Sequence, residues 1–281
     1  MQTINEYKHP ILFYFLCTLF PWTFWFAAAY LSHLPMGNGS YAILSGVLGV
    51  VGLASPMVIA FSMMYLNPKL RHDLWDRLFT FKKARPIYLF LTCFLMLGSI
   101  LSAQAISLIF GYSFNQFAFS GGISFSYSLF PAWVMLLLAP VLEELAWHSY
   151  GTDCLRFRFS LFTTSMIFAV FWAFWHFPLS FIKGYYHSNL VEMGWIYSLN
   201  FVFSLIPFVL LMNWLYYKTH RNIMVAVIFH VTAGVFNESF ATHPDTKVIQ
   251  TLLLLFLSIA LIYNDPKFFL SRKYAEESSL R

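Results

Sequence analysis

Two adjacent glutamates lie inside an apolar stretch of this sequence and offer acid–base chemistry at membrane depth. Glu143 and Glu144 stand in the segment Pro140-Val-Leu-Glu-Glu-Leu-Ala-Trp147, in a chain in which only 10% of the residues are charged. A charged side chain at the centre of a membrane helix costs roughly 2.5–3.5 kcal/mol on insertion scales, and two like charges side by side also repel each other. Such a pair is rarely kept without a use, and two carboxylates suit acid–base work on water or a carbonyl group.

The helix that carries the glutamates must also position their partners. Glu144 and His148 are four residues apart and therefore share a helical face, as do Glu143 and Trp147. The two glutamates lie about 100° apart around the helix axis, so both can border one cavity without pointing at the same atom. The alternative is a structural pair that is satisfied by His148, by a hydroxyl group or by protonation.

Two histidines on later apolar segments are candidates for the same site. His176 follows Trp172-Ala-Phe-Trp, and Pro178 should loosen the helix there and leave room for a small polar cavity. His230 shares its helical face with small residues that allow another helix to approach closely. Either histidine alone could be an ordinary core residue, but together with the glutamates they indicate one site. The residues that share the His230 face are Ala226, Gly234 and Asn237.

The composition predicts an all-α integral membrane protein, a bundle of about eight transmembrane helices in one domain, residues 1–281. The chain is 59% hydrophobic, whereas soluble domains carry about 25% charged residues. Three cysteines without CxxC spacing are expected to be buried thiols rather than a disulfide or a zinc site. The predicted spans lie near residues 11–31, 41–66, 86–110, 129–152, 159–182, 195–217, 223–240 and 248–263.

The positive charge is distributed asymmetrically between the predicted loops. Of the 17 Lys and Arg residues, only Lys183 and Lys247 fall on one side of the membrane, so the other 15 share the opposite side. The positive-inside rule then places both termini in the cytoplasm, and a bacterial cytoplasmic membrane suits this compact chain. The basic excess is explained by topology and anionic lipids, so no nucleic-acid partner is predicted.

Two segments outside the spans have a distinctive composition. Residues 67–85 are a basic linker in which Leu74, Trp75, Leu78, Phe79 and Phe81 fall at helical spacing. This pattern is typical of an amphipathic helix on the cytoplasmic surface, and a solvated basic loop is the alternative. Residues 111–128 carry no charge and many aromatic side chains, as expected of an interfacial or partly re-entrant segment or of an external loop.

The motifs resemble those of the CPBP (Abi) intramembrane proteases, which include the type II CAAX prenyl endopeptidase and bacteriocin self-immunity proteins. That family has Glu-Glu-x-x-x-Arg, then Phe-x-x-x-His, then His-x-x-x-Asn, and the resemblance covers a catalytic core at residues 131–240. It implies that Glu143 activates water with help from His176, that Glu144 positions the site, and that His230 stabilises the oxyanion. The implied activity is cleavage of a membrane-associated peptide or protein, which is prenylated or a precursor.

Three positions depart from the family pattern. His148 replaces the arginine, Gly234 replaces the asparagine, and Trp172 replaces the phenylalanine. Loss of the arginine removes a permanent charge beside the carboxylates. Loss of the asparagine removes an oxyanion donor, which is typically worth about 2.7–4 kcal/mol. Asn237 could substitute only if the helix around it were unwound.

These residues predict an intramembrane endopeptidase whose site faces a cavity on the cytoplasmic side. The enzyme is expected to need no cofactor. Because no His-Glu-x-x-His helix or thiolate set is present, metal-independent chemistry is expected. Zinc bound by Glu143, Glu144, His176 and His230 is the alternative. A non-catalytic scaffold or immunity-like binding protein is the rival function. A transporter that uses the glutamates as an ion site is disfavoured, because no inverted repeat is visible.

Overall fold

A computed structural model describes residues 2–35, 40–78, 81, 84–127 and 129–272. Twelve α-helices are present in this part of the chain, together with short 3₁₀ turns and one π-helical turn at Trp147–Gly151. The helices are α1 (Pro10–Ser32), α2 (Ser40–Tyr65), α3 (Pro68–Leu78), α4 (Pro86–Ser107), α5 (Ala132–Ala146), α6 (Thr152–Arg156), α7 (Leu161–Trp175), α8 (Tyr186–Met193), α9 (Trp195–Lys218), α10 (Ile223–Ser239), α11 (Pro244–Asn264) and α12 (Pro266–Leu270).

The predicted all-α membrane bundle is confirmed. Six helical stretches are long and apolar enough to cross a bilayer, and they correspond to six of the eight predicted spans. The other two predicted spans correspond to α10, which is apolar but has only 17 residues, and to the run from α5 through the π-helical turn to α6. The six long stretches are Pro10–Ser32, Ser40–Tyr65, Pro86–Phe110, Leu161–Phe181, Trp195–Lys218 and Pro244–Asn264.

Close helix packing in the bundle depends on small residues, as the α1–α2 pair shows. The indole Nε1 of Trp25 donates a hydrogen bond to the carbonyl oxygen of Gly49 over 3.0 Å. A Cβ atom at Gly52 would lie only 2.4 Å from the same nitrogen. Cys17 of α1 and Cys154 of α6 are buried as free thiols, as expected.

One end of the bundle, here called the arginine end, is formed by the first residues of the chain, α3, α6, the turn between α9 and α10, and α12. Arg77 of α3 and Arg221 from the α9–α10 turn meet Asp153 of α6 there. In α3, Leu74 is buried and Trp75 is exposed, so this part of the basic linker is an amphipathic helix. Phe79, Lys82 and Lys83 lie outside the described residues.

The opposite end, here called the loop end, is formed by residues 108–127 and 182–194 and by the α10–α11 turn. Residues 118–120 run antiparallel to residues 239–241, with backbone hydrogen bonds from Ser120 to Ser239 and from Ala241 to Ala118. The Glu238 carboxylate accepts bonds from the backbone and the hydroxyl of Ser124. Residues 111–127 are therefore tied to the ends of α10 and α11, and Ser128 of the predicted segment is not described.

Candidate active site

The two glutamates project from the last turn of α5, just before the helix widens into the π-helical turn. Pro131 precedes the helix, and Pro140 lies within it, three residues before Glu143. The side chains of Glu143 and Glu144 are 8% and 0% exposed, so both carboxylates lie inside the protein. Turns of π-helix are rare and occur frequently at functional sites, because they redirect side chains within a continuous helix.

Glu144 is held between two histidines. Its Oε1 atom lies 2.8 Å from Nδ1 of His230, and its Oε2 atom is in short contact with Nδ1 of His148 on the same helix. Both carboxylate oxygens of Glu144 therefore have a histidine partner. His148, which stands where the family pattern has arginine, contacts this carboxylate through Nδ1.

A chain of hydrogen bonds behind His148 fixes the proton on its other nitrogen. The Ser165 hydroxyl donates to the backbone carbonyl of Leu161, so it accepts the bond from Asn213 Nδ2 at 2.9 Å. Asn213 Oδ1 must then accept from Nε2 of His148, which lies 3.0 Å away. His148 thus donates through Nε2 to Asn213, and its Nδ1 atom faces Glu144.

Glu143 faces away from this pair and borders a cavity. The indole Nε1 of Trp172 donates to Glu143 Oε2 over 2.9 Å. The phenylalanine found in the family pattern at this position could not make this bond. Trp172 also packs against the His176 and His230 rings, with centroid distances of 5.5 and 5.2 Å. It therefore holds one carboxylate oxygen and separates the two histidines.

His176 meets Glu143 although it lies further along the bundle from the arginine end. Its helix, α7, ends at Trp175 and continues as a 3₁₀ turn that contains Pro178. His176 Nδ1 lies 2.6 Å from the Trp172 carbonyl oxygen, so Nδ1 carries the proton and Nε2 is an acceptor. That Nε2 atom lies 3.9 Å from Glu143 Oε2. Two acceptors at this distance do not bond to each other, but one water molecule can donate to both.

His230 lies at the middle of α10, and Glu144 engages its Nδ1 atom. Its side chain is 18% exposed and lines the cavity together with Glu143 and His176. In the part of the chain that the structure describes, no protein group bonds to Nε2 of His230. The four residues expected to form one site are thus brought together around Trp172.

The cavity has a volume of about 340 Å³ and reaches from Glu143 to the loop end. Its lining is mostly apolar and comes from α1, α2, α4, α5, α7, α8, α9, α10 and α11 and from the connecting segments around Phe125, Leu179 and Tyr185. The expectation of a cavity on the same side as the termini is wrong, because the charged cluster at the arginine end closes that side. If the termini are cytoplasmic as predicted, the cavity opens toward the opposite surface.

Asn237 does not take the place of the asparagine of the family pattern. It lies seven residues beyond His230 on an unbroken helix, which places it roughly 10 Å further along the axis. Its side-chain amide donates to Glu238. Gly234 itself lines the cavity opposite Leu136, so the position next to His230 has no side chain to offer.

The arginine cluster behind the site was not predicted from the sequence. Arg77 donates to the backbone carbonyls of His148 and Ser149 in the π-helical turn, over 2.9 and 2.8 Å, and to Asp153 over 2.9 Å. Arg221 also binds Asp153, and burial raises the pKa of the neighbouring Tyr7 phenol, which remains a neutral donor. A guanidinium from α3 therefore supports the turn that carries His148.

His187 of α8 was also missed. Both of its ring nitrogens are buried and have no hydrogen-bond partner within the described ranges. The ring stacks on that of His176, with a centroid distance of 4.9 Å, and burial lowers the pKa of His187 to about 4. The residue follows a turn at Gly184, whose φ of +81° favours glycine. That turn is the only signal in the sequence, and it does not indicate a cavity residue.

The residues present do not form an evident metal site. In the described portion of the chain, no three His, Cys, Asp or Glu side chains are arranged to hold one ion. Glu144 uses both oxygens and His230 uses Nδ1 in bonds to each other or to His148. Of the four candidate ligands, only Glu143 and the Nε2 atoms of His176 and His230 face the cavity without such bonds.

Comparisons with known proteins identify the family of this chain. Residues 124–236 match the family described as type II CAAX prenyl endopeptidase Rce1-like, and this stretch contains both glutamates and both histidines. The chain is 36% identical over 272 residues to the CAAX prenyl protease 2 of Methanococcus maripaludis, covering 96% of this chain and 99% of that protein. A relative of this identity and coverage shows that the chain is an intramembrane peptidase rather than a scaffold, and it belongs to the CAAX prenyl endopeptidase family of CPBP proteases.

Proposed function

We propose that Glu143 and His176 activate a water molecule that hydrolyses a peptide bond in the apolar cavity. The observation that carries this proposal is the 3.9 Å separation between Glu143 Oε2 and His176 Nε2, both of which accept hydrogen bonds. A water that donates to both atoms has its oxygen lone pairs directed away from them, toward a carbonyl carbon in the cavity. Burial of this pair keeps other water out of the reaction.

The reaction balances without any further reactant. The water oxygen attacks the carbonyl carbon, one water proton passes to Glu143, and the carbonyl oxygen becomes an oxyanion. The proton on Glu143 then passes to the leaving nitrogen as the C–N bond breaks, which gives a carboxylic acid and an amine. His230, which donates to Glu144 through Nδ1, acts as an imidazolium in this step and donates the proton on Nε2 to the oxyanion. No step uses a metal ion.

The substrate proposed for this site is a peptide near the carboxyl terminus of a membrane-associated protein. The relative is called a CAAX prenyl protease, and such C-terminal sequences carry an isoprenoid on their cysteine. An isoprenoid is a long apolar chain, and the surface of the cavity is mostly apolar, with twelve Leu, Met, Phe and Trp side chains among its lining residues. The apolar cavity suits the lipid and the aliphatic residues that follow it.

The test is hydrolysis of a farnesylated C-terminal peptide by protein reconstituted in liposomes, read by mass spectrometry. Glu143→Gln should reduce turnover by at least about 10³-fold, because the amide cannot accept the water proton at neutral pH. Glu192→Gln, the same substitution at an exposed position of α8, should leave turnover unchanged. A chelator such as 1,10-phenanthroline should have no effect. Unchanged turnover in Glu143→Gln, or full loss with the chelator and recovery on adding zinc, would overturn the mechanism.

A further inference from the structure

A second cavity adjoins the catalytic one at the loop end. It has a volume of about 330 Å³, and seven residues form a wall common to it and the catalytic cavity: Tyr186, Phe201, Ser204, Asn237, Glu238, Gln250 and Thr251. Its own walls differ in character, because they carry hydroxyl and amide groups and one cation. We call this space the polar annex, and the side chains particular to it include Ser120, Ser124, Asn189, Asn200, Thr242 and Lys247.

Lys247 is the cation of the polar annex. It lies in the first turn of α11 and is half-buried. Among the described residues, its ammonium group has no carboxylate within 4 Å. The acid that acts on it from nearby is Glu238, whose oxygens already accept three bonds, from the Ser124 backbone, the Ser124 hydroxyl and Asn237. Lys247 therefore has donors to offer to an anionic group that enters the annex.

The distance from the catalytic residues to the annex matches a short peptide. His230 marks the level of the catalytic residues on α10, and Glu238, eight residues later, lies on the wall that the catalytic cavity shares with the annex. A rise of 1.5 Å per residue makes this separation about 12 Å. Three residues of extended chain span roughly 10–11 Å. A peptide cleaved beside Glu143 would thus bring a carboxylate three residues later to this shared wall.

We propose that Lys247 and the polar annex bind the terminal carboxylate of the substrate and thereby position the end of the peptide in the catalytic cavity. This inference rests on the proposed function and adds to it the group that selects a free carboxyl terminus. The apolar cavity binds the aliphatic side chains and the lipid, and the annex binds the charged end. The protein would accordingly discriminate a chain terminus from an internal sequence.

The test uses two farnesylated peptides that differ only at the C-terminus, one a free acid and the other an amide. The wild-type protein should cleave the acid with a kcat/KM at least about 10-fold higher, the difference expected from a charge-assisted hydrogen bond. Lys247→Met should cleave both peptides at the same rate, which is the rate at which the wild-type protein cleaves the amide. Lys247→Arg should keep the preference for the free acid. Lys183→Met, a change at the other lysine of the loop end, serves as the control and should behave as wild type.

Each other result has a defined meaning. Equal cleavage of the two peptides by the wild type, or a preference for the acid that persists in Lys247→Met, would overturn the carboxylate site and leave the proposed hydrolysis intact. If Lys247→Met lost stability, Lys247→Gln would replace it, and a wild-type ratio of acid to amide cleavage in Lys247→Gln would overturn the carboxylate site. Failure of the wild type to cleave either peptide would overturn the proposed function instead.

Discussion

Replacing Arg77 by methionine should destabilise the protein and disorder the catalytic helix. The guanidinium of Arg77 is almost fully buried and makes hydrogen bonds to two carbonyls of the π-helical turn, to Asp153 and to the hydroxyls of Tyr7 and Tyr216. The cluster contains two arginines and two aspartates, so removal of one arginine leaves an uncompensated negative charge in the protein interior. Breaking a buried ion pair in this way typically costs about 3–5 kcal/mol.

The measurement is reversible unfolding in mixed micelles, compared with Arg71→Met. Arg71 lies on the same helix and is exposed, so its replacement should cost less than about 1 kcal/mol. Arg77→Lys should fall between the two, because an ammonium group keeps the charge but cannot reach all the acceptors that the guanidinium fork reaches. Equal stability of Arg77→Met and Arg71→Met would refute the view that the cluster supports the π-helical turn.

Two further predictions concern the catalytic cavity. Gly234→Asn should raise turnover by about 10-fold or more, because it supplies an amide donor beside His230; Leu136 must shift by a few tenths of an ångström. Gly234→Asp, which has the same size but no N–H group, is the control. A turnover rate in Gly234→Asn that is equal to or lower than the rate in Gly234→Asp would contradict the assignment of the oxyanion position. In a cysteine-free background, Gly121→Cys at the loop end should react with an impermeant maleimide from outside the cell, whereas Ser271→Cys at the arginine end should react only after permeabilisation. The opposite labelling would place the cavity mouth in the cytoplasm and show that the basic residues do not set the orientation.

Much of the bundle could be predicted because a membrane helix is recognisable from its own segment of the sequence. An apolar run of about twenty residues is visible without any tertiary information, and six of the predicted spans are helices of the expected length. Glu143, Glu144, His176 and His230 were also predictable, because a polar residue in an apolar segment stands out. Glu143, His176 and His230 line one cavity, and Glu144 contacts His230 behind it.

The residues that sequence reasoning missed depend on contacts between distant segments. Arg77 belongs to a linker that looks like any basic loop, and its function depends on the carbonyls of His148 and Ser149, some 70 residues away. The location of the cavity depends on which end of the bundle is closed by charge, which hydropathy does not reveal. His187 lies in a short helix between two turns. The residues next to it in the sequence do not indicate that its ring stacks on the ring of His176.

The contact between Glu144 and His148 within one helix also has a consequence for biosynthesis. The helices of a membrane protein are made in order, so α5 reaches the bilayer before Asn213 and His230 have been synthesised. At that stage two carboxylates must be accommodated in an otherwise apolar segment, at a cost of several kcal/mol if they are unpaired. His148, four residues from Glu144, provides a partner that is already present in the same segment. The pair therefore lowers the barrier to insertion of the catalytic helix before it has any role in the finished site.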